Sequence, residues 1–397
     1  MAIKSCDETK REDSAQRRGE TVDEDSVYVT RPFMPPIDEF IPYLRRIWES
    51  KILTNNGPIH REFESQLGAY LNVQELSLVS SGTIGLLLAL RALGVASGEV
   101  ITTPFSFIAT SNAINWAGLT PVFADTQVNG FNIDPESIER AITKRTTAIM
   151  PVHCYGYPCD TRAIDDIAAR HGLKVIYDAA HAFGVEDDGG SILRHGDAAV
   201  LSFHATKVFT TLEGGAVICR DPEVRRRVDY LRNFGILNET TVAEPGINGK
   251  LNEMSSAFGA LQLLYVDRLI EQREQVDINY RERLGGIPGV ALPPLSNAIA
   301  RNYAYFPILV GDDALLSRDE LNTALRCRGV VARRYFYPLI TDHPAYQSAR
   351  KVPSRLQNAN RIAREVLCLP MYPDMSEQVT DAVVREIRSC CSDASVV

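Results

Sequence analysis

Between Leu76 and Val217, short runs rich in β-branched and aromatic residues alternate with runs of helical character. No other feature limits the fold as much. The spacing predicts strands at Ser77–Val79, Val100–Thr102, Val122–Ala124, Thr147–Val152, Lys174–Tyr177, Ala199–Phe203 and Ala216–Cys219. Between them it predicts helices at Gly85–Leu93, Ile108–Trp116, Pro135–Ile142 and Thr161–His171. Strands separated by helices pair in parallel, and a parallel sheet needs helices on both faces. In such sheets, ligands gather outside the carboxyl ends of the strands.

After this region a helical pattern runs from Met254 to about Leu284, with Gly259 as its only weak point, and predicts one long helix between two domains. A smaller α+β unit follows, with strands expected at Tyr303–Val310 and Val330–Tyr335 and helices at Arg318–Arg328 and Glu377–Cys390. Residues 1–26 are dense in charge and poor in large apolar side chains, so a disordered arm is expected there. The expected organisation is that arm, a large domain over residues 27–255, and a linker helix with a small C-terminal domain over 256–397. The fold class is α/β: a large, mostly parallel sheet domain and a smaller α+β domain.

Four segments carry chemistry. Lys207 ends Ser202-Phe203-His204-Ala205-Thr206-Lys207, between two apolar runs that read as buried strands. A lone lysine beside a strand is more often a snorkelling surface residue. If buried, its ammonium must lose its charge or its pKa must fall. A Schiff base with an aldehyde cofactor achieves both, and pyridoxal 5′-phosphate (PLP) is the common one. Ser81-Gly82-Thr83 stands between a strand and a helical run, where free amides and the helix dipole form an anion site or simply an N-cap. Asp178 falls at the carboxyl end of Val175-Ile176-Tyr177, with His181 three residues on. It is a helix cap or a carboxylate that keeps a pyridine nitrogen protonated. Gly246-Ile247-Asn248-Gly249-Lys250 is a glycine-rich loop ahead of the long helical pattern.

In order and spacing these segments resemble the nucleotide-sugar aminotransferase family, which has the aspartate-aminotransferase-like PLP fold. The resemblance runs from about Tyr28 to about Cys390. Further carriers are Leu53-Thr54-Asn55-Asn56-Gly57-Pro58, Thr102-Thr103-Pro104-Phe105-Ser106-Phe107, Pro151-Val152-His153-Cys154-Tyr155-Gly156 and Asp178-Ala179-Ala180-His181-Ala182. Within the family, the Thr-Asn-Asn-Gly-Pro and Gly-Ile-Asn-Gly-Lys loops look like those of enzymes that make dTDP-4-amino-4,6-dideoxy-D-glucose. The resemblance implies that Lys207 is the Schiff-base lysine and Asp178 the partner of the pyridine nitrogen. It puts His181 near the cofactor's phenolic oxygen, Gly82, Thr83 and Ser202 around its phosphate, and Phe107 on its ring. Asn248 would reach the phosphate of a neighbouring subunit's cofactor, so a homodimer with shared active sites is implied. Lys250 stands where many relatives carry Arg. Thr54, Lys250, Arg333 and Tyr335 are candidate substrate contacts; Arg333 and Tyr335 also fit a strand with one packed and one solvated face.

The activity implied is transfer of an amino group from L-glutamate to a dTDP-linked keto-sugar, dTDP-4-dehydro-6-deoxy-D-glucose. A 3-keto or a GDP- or UDP-linked acceptor is the nearest alternative. A non-catalytic sensor with the same fold is a second, although no basic helix-turn-helix is present. Related sugar dehydratases carry His in place of the lysine, which argues against them here.

A net charge of −8 argues against nucleic acid as a partner, since phosphate binding needs a basic face. It leaves anionic small substrates open. The eight cysteines form no CxxC pair and no Cys/His ladder, so neither a metal site nor a disulfide framework is expected. Without a signal peptide or an apolar span of about 20 residues, no membrane association is expected, and the expected location is cytoplasmic.

Overall fold

The structure, a computed structural model, describes residues 26–392. Apart from Ser26, the expected charged arm lies outside the described residues. Eight strands form the main sheet in the order Arg350–Val352, Thr120–Ala124, Glu99–Thr102, Thr146–Met150, Lys174–Asp178, Ala198–Ser202, Gly215–Cys219, Leu76–Val79. Neighbours are parallel from Arg350–Val352 through Ala198–Ser202, and only Gly215–Cys219 runs antiparallel to both strands beside it.

Successive side chains of a strand leave opposite faces, and both faces here are apolar. Leu78, Ile101, Ile149, Val175 and Leu201 enter one core, while Val79, Val100, Ala148, Ile176 and Val200 enter the other. The covering helices are stopped and started locally. Asp160 caps Thr161–His171 by accepting the Ala163 amide at 3.0 Å, and Gly172 closes that helix in the left-handed region at φ 65°.

The expected single helix from Met254 to Leu284 is two helices, Glu253–Leu263 and Val266–Leu284, hinged at Leu264 and Tyr265. Their surroundings explain the break. The first helix is buried almost all round, and its Glu253 carboxylate accepts the Ile59 and His60 amides at 3.0 and 2.8 Å. The second carries charge along one side and buries Leu269, Val276, Tyr280 and Leu284. A straight helix could not present both patterns to their partners, so the axis turns where Leu264 is exposed.

The smaller unit is an antiparallel sheet of Val290–Ala291, Phe306–Val310 and Val366–Leu369, with helices Arg318–Cys327 and Glu377–Ser392. Two short strands tie it to the rest of the chain. Arg350–Val352 adds an edge to the main sheet, and Val27–Tyr28 pairs with Val330–Val331. The strand expected over Val330–Tyr335 ends at Val331; beyond it Arg333 makes only an isolated bridge to Cys368. No helix among the described residues is long and apolar enough to cross a membrane. Among them no cluster of three or more His, Cys, Asp or Glu could hold a metal ion.

Candidate active site

Lys174–Asp178 and Ala198–Ser202 are parallel neighbours with Asp178 opposite Val200, so Asp178, Ser202 and the turn leading to Lys207 come to one end of the sheet. A cavity of about 280 Å³ opens there, and Gly82, Thr83, Phe107, Asp178, His181, Ser202, Lys207 and Tyr335 all line it.

Asp178 is fixed in both backbone and side chain. Its amide donates to Pro151 O at 2.9 Å, and its carbonyl accepts the His153 amide at 3.1 Å. Its Oδ2 accepts from Thr110 Oγ1 at 2.7 Å, and its Oδ1 accepts the Ala180 amide at 3.1 Å. Burial raises the Asp178 pKa; the Thr110 and Ala180 hydrogen bonds and the Lys207 charge pull against that rise. Lys207 responds in the complementary way. Burial lowers its pKa to about 8, opposed by Asp178 and Cys154. An amine that deprotonates near neutral pH is both a nucleophile and a base.

On the other side, Ser81 caps the helix Gly82–Ala92 through a 3.3 Å bond from the Ile84 amide. The first amides of that helix have no partners within it, and they meet the positive end of its dipole. Ser202 lies against this helix start because residue 82 has no side chain. A Cβ on Gly82 would stand 2.9 Å from Ser202 Cβ, and one on Gly215 would stand 2.6 Å from Leu201 O. The result is a tight cradle of amides and one hydroxyl, suited to a phosphate.

His181 is locked in one tautomer. Its Nδ1 accepts the Tyr155 amide at 3.1 Å, an amide turned inward by the left-handed φ of 57° at Tyr155. Burial holds the His181 pKa well below that of free imidazole, so the ring is neutral and its Nε2 carries the proton. Its plane is parallel to Phe336, with centroids 6.0 Å apart, and Tyr305 stands edge-on at 4.9 Å. Phe107 remains 58% exposed at the mouth, a large flat ring with apolar surface left to cover.

Four candidates lie outside this cavity. Thr54 sits on an exposed loop between the helices Ile37–Ser50 and Pro58–Tyr70. Arg333 is exposed, beyond the strand that stops at Val331. Asn248 is exposed, and its Oδ1 accepts from Lys250 Nζ at 2.9 Å. Lys250 also lies 4.8 Å from the centre of the Phe234 ring. Sequence reasoning missed Thr110, Ser106, Tyr305 and Phe336. The spacing of Ser106 and Thr110, four apart at a helix start just past a strand end, was a usable signal. Tyr305 left none, since it read as an ordinary strand residue, and Phe336 stood just past the expected strand Val330–Tyr335 in a run of cations and aromatics.

A helix start for an anion, a lowered lysine pKa and a buried carboxylate thus meet in one crevice. The sequence profile of the DegT/DnrJ/EryC1/StrS aminotransferase family matches residues 36–388. The chain belongs to this family. The aminotransferase is similar to the dTDP-4-amino-4,6-dideoxy-D-glucose transaminase of Shigella dysenteriae, at 52% identity over 365 residues, covering 92% of this chain and 99% of the relative. The Escherichia coli transaminase of the same description is 46% identical over 364 residues, covering 91% and 97%. A crystal structure of DesI in the presence of its TDP-sugar product superposes with a TM-score of 0.88 at 32% identity, covering 94% of this chain and 95% of that one. The family resemblance and the α/β fold expected from the sequence are both borne out.

Proposed function

We propose that this aminotransferase uses pyridoxal 5′-phosphate to move an amino group from L-glutamate to dTDP-4-dehydro-6-deoxy-D-glucose, giving dTDP-4-amino-4,6-dideoxy-D-glucose. The observation that carries the reading is the pairing of Lys207, its pKa lowered to about 8, with the buried Asp178 across one cavity. The acceptor rests on the two relatives at 52% and 46% identity.

The residues present fit the cofactor. The space that a Cβ on Gly82 would fill is kept beside Ser202, so Gly82, Thr83 and Ser202 would hold the phosphate. Asp178 would accept a hydrogen bond from the ring nitrogen and keep it protonated, Phe107 would cover a ring face, and the His181 Nε2 proton would reach the ring oxygen. When bound, the cofactor supplies an aldehyde carbon that takes up the donor's amine and a ring that withdraws electrons.

The chain does the remaining work. With a pKa of about 8, roughly a tenth of Lys207 is free amine at pH 7, enough to take a proton at Nζ and return it. The same atom serves both halves of a ping-pong reaction, because each half moves one proton. The bonds from Thr110 and Ala180 favour the ionised form of Asp178 against the burial that raises its pKa, and that form attracts positive charge where the ring nitrogen would lie. Tyr305, Tyr335 and Phe336 limit water at the same wall, which strengthens these electrostatic effects. Asn248 is exposed and does not line the cavity of its own chain, which supports a homodimer in which it serves the partner's site.

The test is in two halves. Incubation with L-glutamate should yield 2-oxoglutarate without any acceptor. The enzyme so treated should then add an amine to dTDP-4-dehydro-6-deoxy-D-glucose, read by product mass, in preference to 3-keto and GDP- or UDP-linked sugars. Failure of the first half with cofactor bound would contradict the aminotransferase chemistry; preference for another sugar would contradict the acceptor.

A further inference from the structure

The segment between the strand Glu99–Thr102 and the helix Ala109–Trp116 does more than supply Phe107. Ser106 stands in the bend before the helix and Thr110 in its first turn. Both side chains are buried. Their oxygens are 2.9 Å apart, and Thr110 Oγ1 is 2.7 Å from Asp178 Oδ2.

The chemistry of the three groups fixes the direction of the bonds. A carboxylate only accepts, so the single Thr110 proton points at Asp178. Thr110 Oγ1 can then only accept from Ser106, and the Ser106 proton points at Thr110. The chain Ser106 to Thr110 to Asp178 therefore ends on a carboxylate oxygen, while Oδ1 takes the Ala180 amide from the other side. With one bond on each oxygen, the carboxylate plane cannot swing, and its remaining acceptor directions stay fixed. Few other charged or titratable groups face it. Lys207 and Cys154 are the nearby ones from other elements, and neutral His181 lies in the turn three residues past Asp178.

Building on the cofactor reading above, we propose that Thr110, backed by Ser106, is a positioning residue that keeps Asp178 ionised and aimed at the ring nitrogen of the cofactor. Thr110 touches no reacting atom. Its effect passes through Asp178, and so it should matter only for a ligand that has a ring nitrogen. A residue that merely supports the helix start would affect any ligand of the same shape.

The experiment measures affinity of the apoenzyme for pyridoxal phosphate and for its analogue with carbon in place of the ring nitrogen. Wild type, Thr110→Val and Thr110→Ser are compared. Thr110→Val should bind pyridoxal phosphate roughly tenfold to a hundredfold more weakly, the effect of one lost hydrogen bond to a charged group. It should bind the carbon analogue as wild type does. Thr110→Ser keeps the hydroxyl and should restore pyridoxal phosphate affinity. Should Thr110→Val not fold, Thr110→Ala provides the same comparison. Equal weakening for both ligands, or wild-type affinity for both, would overturn the proposal. If wild type bound neither compound, the cofactor reading would fall first and this inference with it, a result distinct from either of those.

Discussion

The crevice around Lys207 and the loop around Asn248 are built on opposite plans. In the crevice, polar side chains are buried and held by hydrogen bonds from other elements: Asp178 by Thr110 and Ala180, His181 by the Tyr155 amide. On the loop, Asn248 is exposed, and the neighbouring hairpin leaves Ile236, Leu237 and Val242 exposed as well. The polar groups of the first region find their partners on their own chain. The second has polar and apolar groups that none of the described residues covers. The lesson is that the sheet fixes the chemistry, while the loop carries groups whose use awaits another surface.

Changes in the crevice should therefore act on a single chain, and changes in the loop should act only in an assembly. The largest effect is expected for Asp178→Asn. The shape is kept and the charge lost, so turnover should fall by on the order of 10³-fold, within the usual range for a positioned acid–base or charge partner. Thermal stability should change little, because the buried site no longer holds an ion. A large drop in melting temperature with little loss of turnover would reverse that expectation.

Gly215→Ala comes next. The added methyl would meet Leu201 O at 2.6 Å and Gly82 N at 2.9 Å, all of it backbone. It should cost about 1–3 kcal/mol in urea unfolding and weaken cofactor binding as the cradle opens. Asn248→Ala should leave stability unchanged and weaken cofactor affinity by about tenfold, the loss of one hydrogen bond to an anion. Diluting the wild type until it is monomeric should reproduce that loss. If the dilute monomer binds as tightly as the dimer, the contrast between the two regions fails.

Acid should act on stability rather than on the site. Burial lowers the pKa of His60 and of His153 to about 3. In the unfolded chain each takes a proton below about pH 6.5, whereas in the folded chain it does not. The unfolded state then binds more protons, so stability falls as the pH drops from 6.5 towards 3. Each histidine contributes at most about 1.4 kcal/mol per pH unit. Urea midpoints measured from pH 7 to pH 5 should show this slope, and a flat profile would mean that these histidines titrate freely.

Much of this was legible beforehand because local rules decide it. The strands of the main sheet are apolar runs bounded by turns, and Asp178, Ser202 and Lys207 stand at their carboxyl ends, where a parallel sheet gathers ligands. The edge strand Arg350–Val352 was not visible, since three residues hold no period and the pairing partner lies more than 200 residues earlier. The same limit hid the bond from Thr110 to Asp178, which spans 68 residues. It also hid the lock on His181, which is made by a backbone amide that no side-chain pattern reports. Arg333 and Tyr335 both fit a strand or a substrate contact in the sequence, and in the fold the strand ends at Val331 while Tyr335, not Arg333, lines the cavity.

The most direct measurement is chemical capture at position 207. Enzyme reconstituted with pyridoxal phosphate should show a visible absorption band that the free cofactor lacks, from the Schiff base. Borohydride should bleach the band and attach one pyridoxyl group to the peptide that contains Lys207. A colourless enzyme, or a pyridoxyl group on any other lysine, would contradict the account.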